Sequence, residues 1–212
     1  MILTPITELN LSESLARFGD SLTSEPVRTV FRRIAGTGNP ARASAENAVK
    51  NHAESIDLIT SFDISLKPGA PRLDLSWDGS ALRGETEAYV LLHEVAHYQL
   101  ASPARRLVAD FGLGPGPETG DRARAEAAAL RFGIEREREE AMASLLGILW
   151  ETQLGHPALA SFLDQNWLEG AGKPQTSRSA AKHFETVLAA LTRGGFVTSA
   201  GEPTRTLRRN PD

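Results

Sequence analysis

A chain of 212 residues, 41% hydrophobic and 24% charged, is long enough for one substantial core and too apolar for wholesale disorder. It contains no cysteine, which excludes disulfides, cysteine-ligated zinc, iron–sulfur clusters and thiol catalysis. A net charge of −4 gives no reason to expect nucleic acid or an anionic membrane as the main partner; Arg122, Arg124, Arg131, Arg136 and Arg138 read first as the solvated face of a helix.

The N-terminus lacks a basic region followed by a long apolar stretch, and nowhere do about 18 apolar residues run together, so a soluble, cytoplasmic protein is expected. Leu11 to Leu22 and Pro26 to Ile34 carry apolar residues at helical spacing, with Ser24-Glu25-Pro26 as a start and Gly36 as a stop; Ala41 to Ala53 is a weaker third helix. Ile56 to Leu66 is rich in β-branched residues and reads as a strand ending at Lys67-Pro68-Gly69. Arg72 to Trp77 reads as a second strand closed by Asp78-Gly79, giving a strand pair or meander.

Helix then dominates. Thr86 to Ala101 runs without Gly or Pro and stops at Ser102-Pro103. Ala104 to Phe111 follows as helix, then a Gly/Pro loop at 112–117 that either shapes a pocket rim or merely connects. A long helical stretch is expected from Asp121 to Leu154, with further helices at Phe162 to Leu168 and Ala180 to Leu191, and a frayed polar tail from Thr204. Residues 1–200 thus read as a single metal-binding catalytic domain and 201–212 as a polar tail. The fold class expected is α+β and zincin-like: mostly helical, with a small antiparallel sheet preceding the metal helix.

That helix carries the motif on which function turns. His93-Glu94-Val95-Ala96-His97 places two imidazoles one helical turn apart with a carboxylate between them, the H-E-x-x-H metal signature. Residues four apart project from one face, so His93 and His97 can hold one divalent ion while Glu94 reaches toward a bound water. A third ligand must come from elsewhere. No histidine follows until His156, and Leu100 stands where an extended motif would place glycine. The candidates are Glu126, Glu135, Glu137, Glu139 and Glu140. An apolar arc through Ile134, Ala141, Met142, Leu145, Ile148 and Leu149 leaves Glu137 at its edge and Glu140 farther round on the same side, with Glu126 third.

Leu92-His93-Glu94-Val95-Ala96-His97-Tyr98, followed by Ala104-Arg105-Arg106 and Asp110-Phe111-Gly112, resembles the metal-site segment of the bacterial elongation factor P hydroxylases. A weaker similarity extends through Glu140 to Gly155 and Asn166-Trp167-Leu168-Glu169-Gly170, so that it covers about residues 90–170. Tyr98 stands where that family has Trp, and the connection from Gly114 to Glu139 is longer. The resemblance implies Glu140 over Glu137, Fe(II), and oxygen-dependent hydroxylation of a modified lysine on a protein substrate such as a translation factor.

Two other chemistries suit the same residues. With Zn(II), the bound water loses a proton near neutrality and Glu94 acts as general base of a metallopeptidase. A non-catalytic adaptor that retains metal would need a closed site and an exposed apolar patch. Arg105 and Arg106 read as partners of Asp110 or caps of a helix C-terminus before they read as substrate anchors. His52, His156 and His183 read as isolated polar residues, and Trp77, Trp150 and Trp167 as packing.

Overall fold

The protein is described here by a computed structural model covering residues 8–38, 45–168 and 174–210. Eight α-helices dominate these residues: α1 (Glu8–Ser21), α2 (Glu25–Ala35), α3 (Ala45–Thr60), α4 (Ala88–Leu100), α5 (Arg122–Ala127), α6 (Gly133–Leu154), α7 (Ala158–Asp164) and α8 (Pro174–Arg193). None is long and apolar enough to cross a membrane.

The first two helices form where the apolar spacing places them. Leu11, Leu15 and Phe18 line one face of α1, Leu22 follows its last residue, and Phe18 and Leu22 are buried. Phe18, Phe31, Phe162 and Phe184 meet at ring separations of 4.8 to 6.0 Å, joining α1, α2, α7 and α8 in one core. Residues 41–44 of the third expected helix lie outside the described residues; α3 runs on to Thr60.

That extension overturns the first expected strand. Ile56 to Thr60 is helical because Ser55, Leu58, Ile59 and Phe62 recur at three- and four-residue intervals and are all buried, a pattern hidden by β-branched neighbours. Only β1 (Ser65–Lys67) is extended. Arg72 to Trp77 is not a strand either: Pro71–Leu73 is a 3₁₀ turn, and Trp77 survives as an isolated antiparallel bridge to Leu82. The true partner is β2 (Ala81–Arg83), and the pair is parallel, in register Ser65↔Ala81, Leu66↔Leu82 and Lys67↔Arg83. A hairpin is prevented because the chain reverses a second time at Asp78-Gly79, where Asp78 Oδ1 accepts from Ser80 N, Ser80 Oγ and Ala81 N at 2.8 to 2.9 Å.

α4 lies at the centre. Val90, Leu91, Leu92, Val95, Ala96 and Leu100 are buried around its whole circumference, so it is enclosed rather than amphipathic. Its closest neighbour is α6, and the approach is set by Gly147, where a Cβ would stand 3.2 Å from His93 Cα and 3.3 Å from His93 N. Any side chain there would push the metal-motif turn away.

Past α4 the expected helix Ala104 to Phe111 is replaced by two 3₁₀ turns, Arg105–Leu107 and Ala109–Gly112. Asp110 (φ 41°) and Phe111 (φ 53°) are left-handed, which an α-helix cannot accommodate. The long helix expected from Asp121 is broken between α5 and α6, where Leu130 and Arg131 N–H groups bond Gly112 O instead of continuing the helical ladder. The helix expected from Phe162 is α7, which starts earlier and has ended by Asp164. Nor is the C-terminal segment frayed from Thr204 to Arg208. Fully buried Gln99 of α4 donates to Thr204 O (2.8 Å) and Thr206 O (3.0 Å), and Arg208 N donates to Gln99 O (2.9 Å).

Candidate metal centre

α4 presents His93 and His97 on one face, and Gly147 lets α6 come close enough to bring Glu140 opposite them. The two Nε2 atoms are 2.9 Å apart, and Glu140 Oε2 is 3.6 Å from His93 Nε2 and 3.4 Å from His97 Nε2. These three groups form the one cluster able to hold a metal ion among the described residues. The corners of this triangle lie about 1.9 Å from their common centre, so an ion at a bonding distance of about 2.0–2.2 Å reaches all three atoms without moving a side chain. Two imidazoles and one carboxylate also suit the charge and softness of Fe(II) or Zn(II).

The other glutamates stand apart. Glu137 and Glu126 are exposed and belong to no such cluster. The arc drawn through Ile134 fails because the first turns of α6 project beyond the core, leaving Ile134 77% exposed. The face that matters is Glu140, Ser144, Gly147 and Glu151, set by contact with α4.

His97 is 5% exposed, and His93 and Glu140 are partly buried. Burial opposes charge on His97, but the adjoining Glu140 and Glu94 carboxylates outweigh it and raise its pKa to about 9. His93 is pushed down by burial and by the neighbouring His97. Burial would raise the Glu140 carboxyl, yet the two imidazoles hold it far below the usual range. Glu94 is driven up to about 8 by burial, with nearby Asp110 and Glu140 adding repulsion and His97 and the Ser76 hydroxyl opposing it.

The left-handed turn at 110–111 serves this centre. Asp110 Oδ1 accepts from Trp77 N (3.1 Å), its Oδ2 accepts from Thr119 Oγ1 (2.6 Å), and its own N–H donates to Trp77 O (2.9 Å). Held this way, Phe111 stacks between His97 (5.8 Å) and Trp77 (5.3 Å). Two consecutive strained residues cost about 1–3 kcal/mol each and persist where surrounding bonds over-determine them.

Arg105 does not pair with Asp110 as expected. It is 2% exposed and forks onto Glu139, Nη1 donating to Oε2 at 2.7 Å and Nη2 to Oε1, while its Nε donates to Phe111 O at 3.0 Å. One guanidinium thereby ties the turn that packs on His97 to the residue preceding Glu140. Arg106 fulfils the capping expectation: its Nε donates to Tyr98 O, in the last turn of α4, at 2.8 Å.

A cavity of about 600 Å³ opens beside the triad, lined by Tyr89, Phe111, Leu113, Trp167 and His183 as well as by Gly114, Gly116 and Pro117, which makes the Gly/Pro loop a rim. Among the described residues, five carboxyl groups line it (Glu94, Asp110, Glu118, Glu140 and Asp164), and no lysine or arginine does. Neither β1 nor β2 lines it. His183 and Trp167, read from sequence as isolated and packing residues, are stacked at 5.2 Å to form one wall. They come from segments far from the motif and share no spacing with it.

Farther along the same face of α6, Glu151 is 3% exposed and burial drives its pKa to about 7, against a hydrogen bond with Ser161. Between pH 4.5 and 7 the folded protein keeps a proton that the unfolded chain has lost, so this carboxyl removes stability as pH rises through that window. Glu151→Gln is expected to abolish that slope and to exceed the wild type by about 2–3 kcal/mol at pH 8 in urea unfolding. A variant whose stability parallels the wild type from pH 5 to 8 would contradict it.

No family model matches this chain, and no curated protein or solved structure matches it significantly.

Proposed function

We propose that this protein is a metal-dependent enzyme that uses dioxygen to hydroxylate a cationic side chain, of the modified-lysine type, on a cytoplasmic protein such as a translation factor. The observation that carries the reading is the acidic cavity beside the triad. Beyond the triad, Glu118 and Asp164 add carboxylates that no lysine or arginine among the described lining residues offsets, which favours a positively charged side chain and disfavours an anionic one. The similarity of residues 93–112 to the elongation factor P hydroxylases supports the same chemistry.

A ferrous ion held by His93, His97 and Glu140 would supply the one-electron chemistry that dioxygen requires, with coordination positions left for reactants. The chain's residues do the rest. Glu118 and Asp164 attract the ammonium group, Tyr89, Phe111, Leu113 and Trp167 exclude water from the side chain's carbons, and Glu94 stands beside His97 with a buried carboxyl able to take up or release a proton. The reaction consumes a C–H bond, dioxygen, two protons and two electrons from an external reductant, giving an alcohol and water.

The zinc-peptidase alternative shares the triad and Glu94. An extended peptide backbone would find no strand to pair with in this cavity, whose lining among the described residues comes from helices and turns. The test is metal analysis of protein purified without added metal, followed by anaerobic Fe(II) loading and oxygen uptake with ascorbate and lysine-bearing protein substrates. Iron at one per chain and a 16 Da mass gain on a lysine are expected. Stoichiometric zinc with casein cleavage abolished by Glu94→Gln would install the peptidase; bound metal with neither activity would install the adaptor.

A further inference from the structure

On the other side of α6 from the cavity lies a groove of about 1290 Å³ with the opposite charge. Among the described residues Arg106, Arg131, Arg138, Arg205, Arg208 and Arg209 line it, against Glu135, which pairs with Arg131 at 2.8 Å, and Glu139. Glu139 is already matched by the buried Arg105. Such a concentration of arginine on a chain of net charge −4 is a strong local departure.

The arginines come from four separate parts of the chain: the turn after α4, the connection between α5 and α6, the first half of α6, and the C-terminal segment. The fold assembles them. Arg106 Nη2 donates to Arg208 O at 2.8 Å, and Gln99 fixes the segment from Thr204 onward against α4, so the groove has a built wall. Leu100, Met142, Phe196 and Leu207 supply apolar lining between the guanidinium groups. Arg138 and Arg209 are exposed at its edge.

We propose that this groove docks an acidic, amphipathic segment of the protein partner. Guanidinium forks match carboxylates in pairs, and clustered arginines are a recurrent means of holding acidic motifs. An apolar lining suits alternating acidic and aliphatic side chains. Single-stranded nucleic acid would instead require aromatic faces for stacking, and Phe196, the groove's aromatic residue, is 6% exposed. The cavity and groove share α6 as a common wall, Glu140, Ala141 and Ser144 lining the first and Glu135, Arg138, Glu139 and Met142 the second. On this proposal, a partner placing a cationic side chain in the first wraps round α6 to lay an acidic segment in the second. This deepens the hydroxylase reading by naming the partner's surface, and it rests on that reading only for the identity of the side chain.

The test is fluorescence anisotropy of the full chain with three labelled probes of equal length: a Glu/Leu-rich peptide, a Lys/Leu-rich peptide and a single-stranded RNA. The acidic peptide is expected to bind in a salt-sensitive manner, and Arg138→Glu with Arg209→Glu to weaken it at least about tenfold while leaving Co(II) affinity unchanged. Equal or tighter binding of either other probe, or a change below about twofold in the double variant, overturns the docking proposal. Loss of metal binding in the wild type with acidic-peptide binding intact would instead sink the hydroxylase reading and spare the groove.

Discussion

Arg105→Ala is expected to destabilise the protein by about 3–5 kcal/mol in urea or thermal unfolding, because it leaves the Glu139 carboxylate buried without its partner. The pair is almost wholly enclosed, with side-chain exposures of 3% and 10%, so solvent screening does little to soften the loss. The Nε bond to Phe111 O is lost as well, and with it one restraint on the left-handed turn packed against His97. Removing both charges should behave differently. Arg105→Met with Glu139→Leu fills similar volume and leaves no buried charge, and is expected to recover most of the lost stability. It does not restore the bond to Phe111 O. The double variant should therefore regain stability while binding Co(II) about tenfold more weakly than the wild type, an effect typical of lost support around metal ligands. Recovery of both properties would reduce Arg105 to a packing role.

How much of this was legible in sequence follows from what each residue signals locally. His93, Glu94 and His97 sit in a run free of Gly and Pro, so both the helix and the shared face could be read directly. The third ligand could not be fixed this way. Glu137 and Glu140 are three apart and project from neighbouring positions of one face; what separates them is the level at which α6 meets α4, determined by the bare Cα of Gly147 against the backbone of His93. Sequence spacing carries no such depth information. The resemblance pointed to Glu140, the glutamate that the structure brings to the two imidazoles.

The sheet was misread for a similar reason. Three-residue strands such as Ala81-Leu82-Arg83 are too short to show alternation, whereas Ile56 to Thr60 has strand-like composition but buries residues at helical intervals. Asp110 and Phe111 carry no compositional mark of left-handed backbone, because the bonds from Trp77 and Thr119 that hold them there come from elsewhere in the chain. The partner of Arg105 was missed because a fork onto Glu139, 34 residues away, competes with the nearby Asp110 only once the chain is folded.

Glu140→Gln tests the centre itself. In zinc-finger-type sites three or four ligands share a binding free energy of roughly 10–16 kcal/mol, so removing the only carboxylate should weaken Zn(II) or Co(II) binding by about 3–5 kcal/mol, a factor of 10² to 10³ or more. Glu137→Gln, on the exposed side of α6, should change affinity less than about twofold. The pH dependence provides a second check. Without a cation, Glu140 is paired with a protonated His97 whose pKa stands at about 9, and a metal ion must displace that proton to bind. Wild-type affinity is thus expected to rise about tenfold from pH 7 to pH 8 and to level off above 9. Glu140→Gln removes the main charge that raises His97, so its weaker binding should level off at lower pH. The metal-free protein should show the reverse trend in stability. His97, raised on folding, contributes fully below its unfolded pKa near 6.5 and loses that contribution as pH climbs toward 9, so added metal should stabilise most where the metal-free fold is weakest. Isothermal titration of metal-free protein at pH 6, 7 and 8 measures the affinities, and equal losses in Glu140→Gln and Glu137→Gln would dismantle the assigned triad.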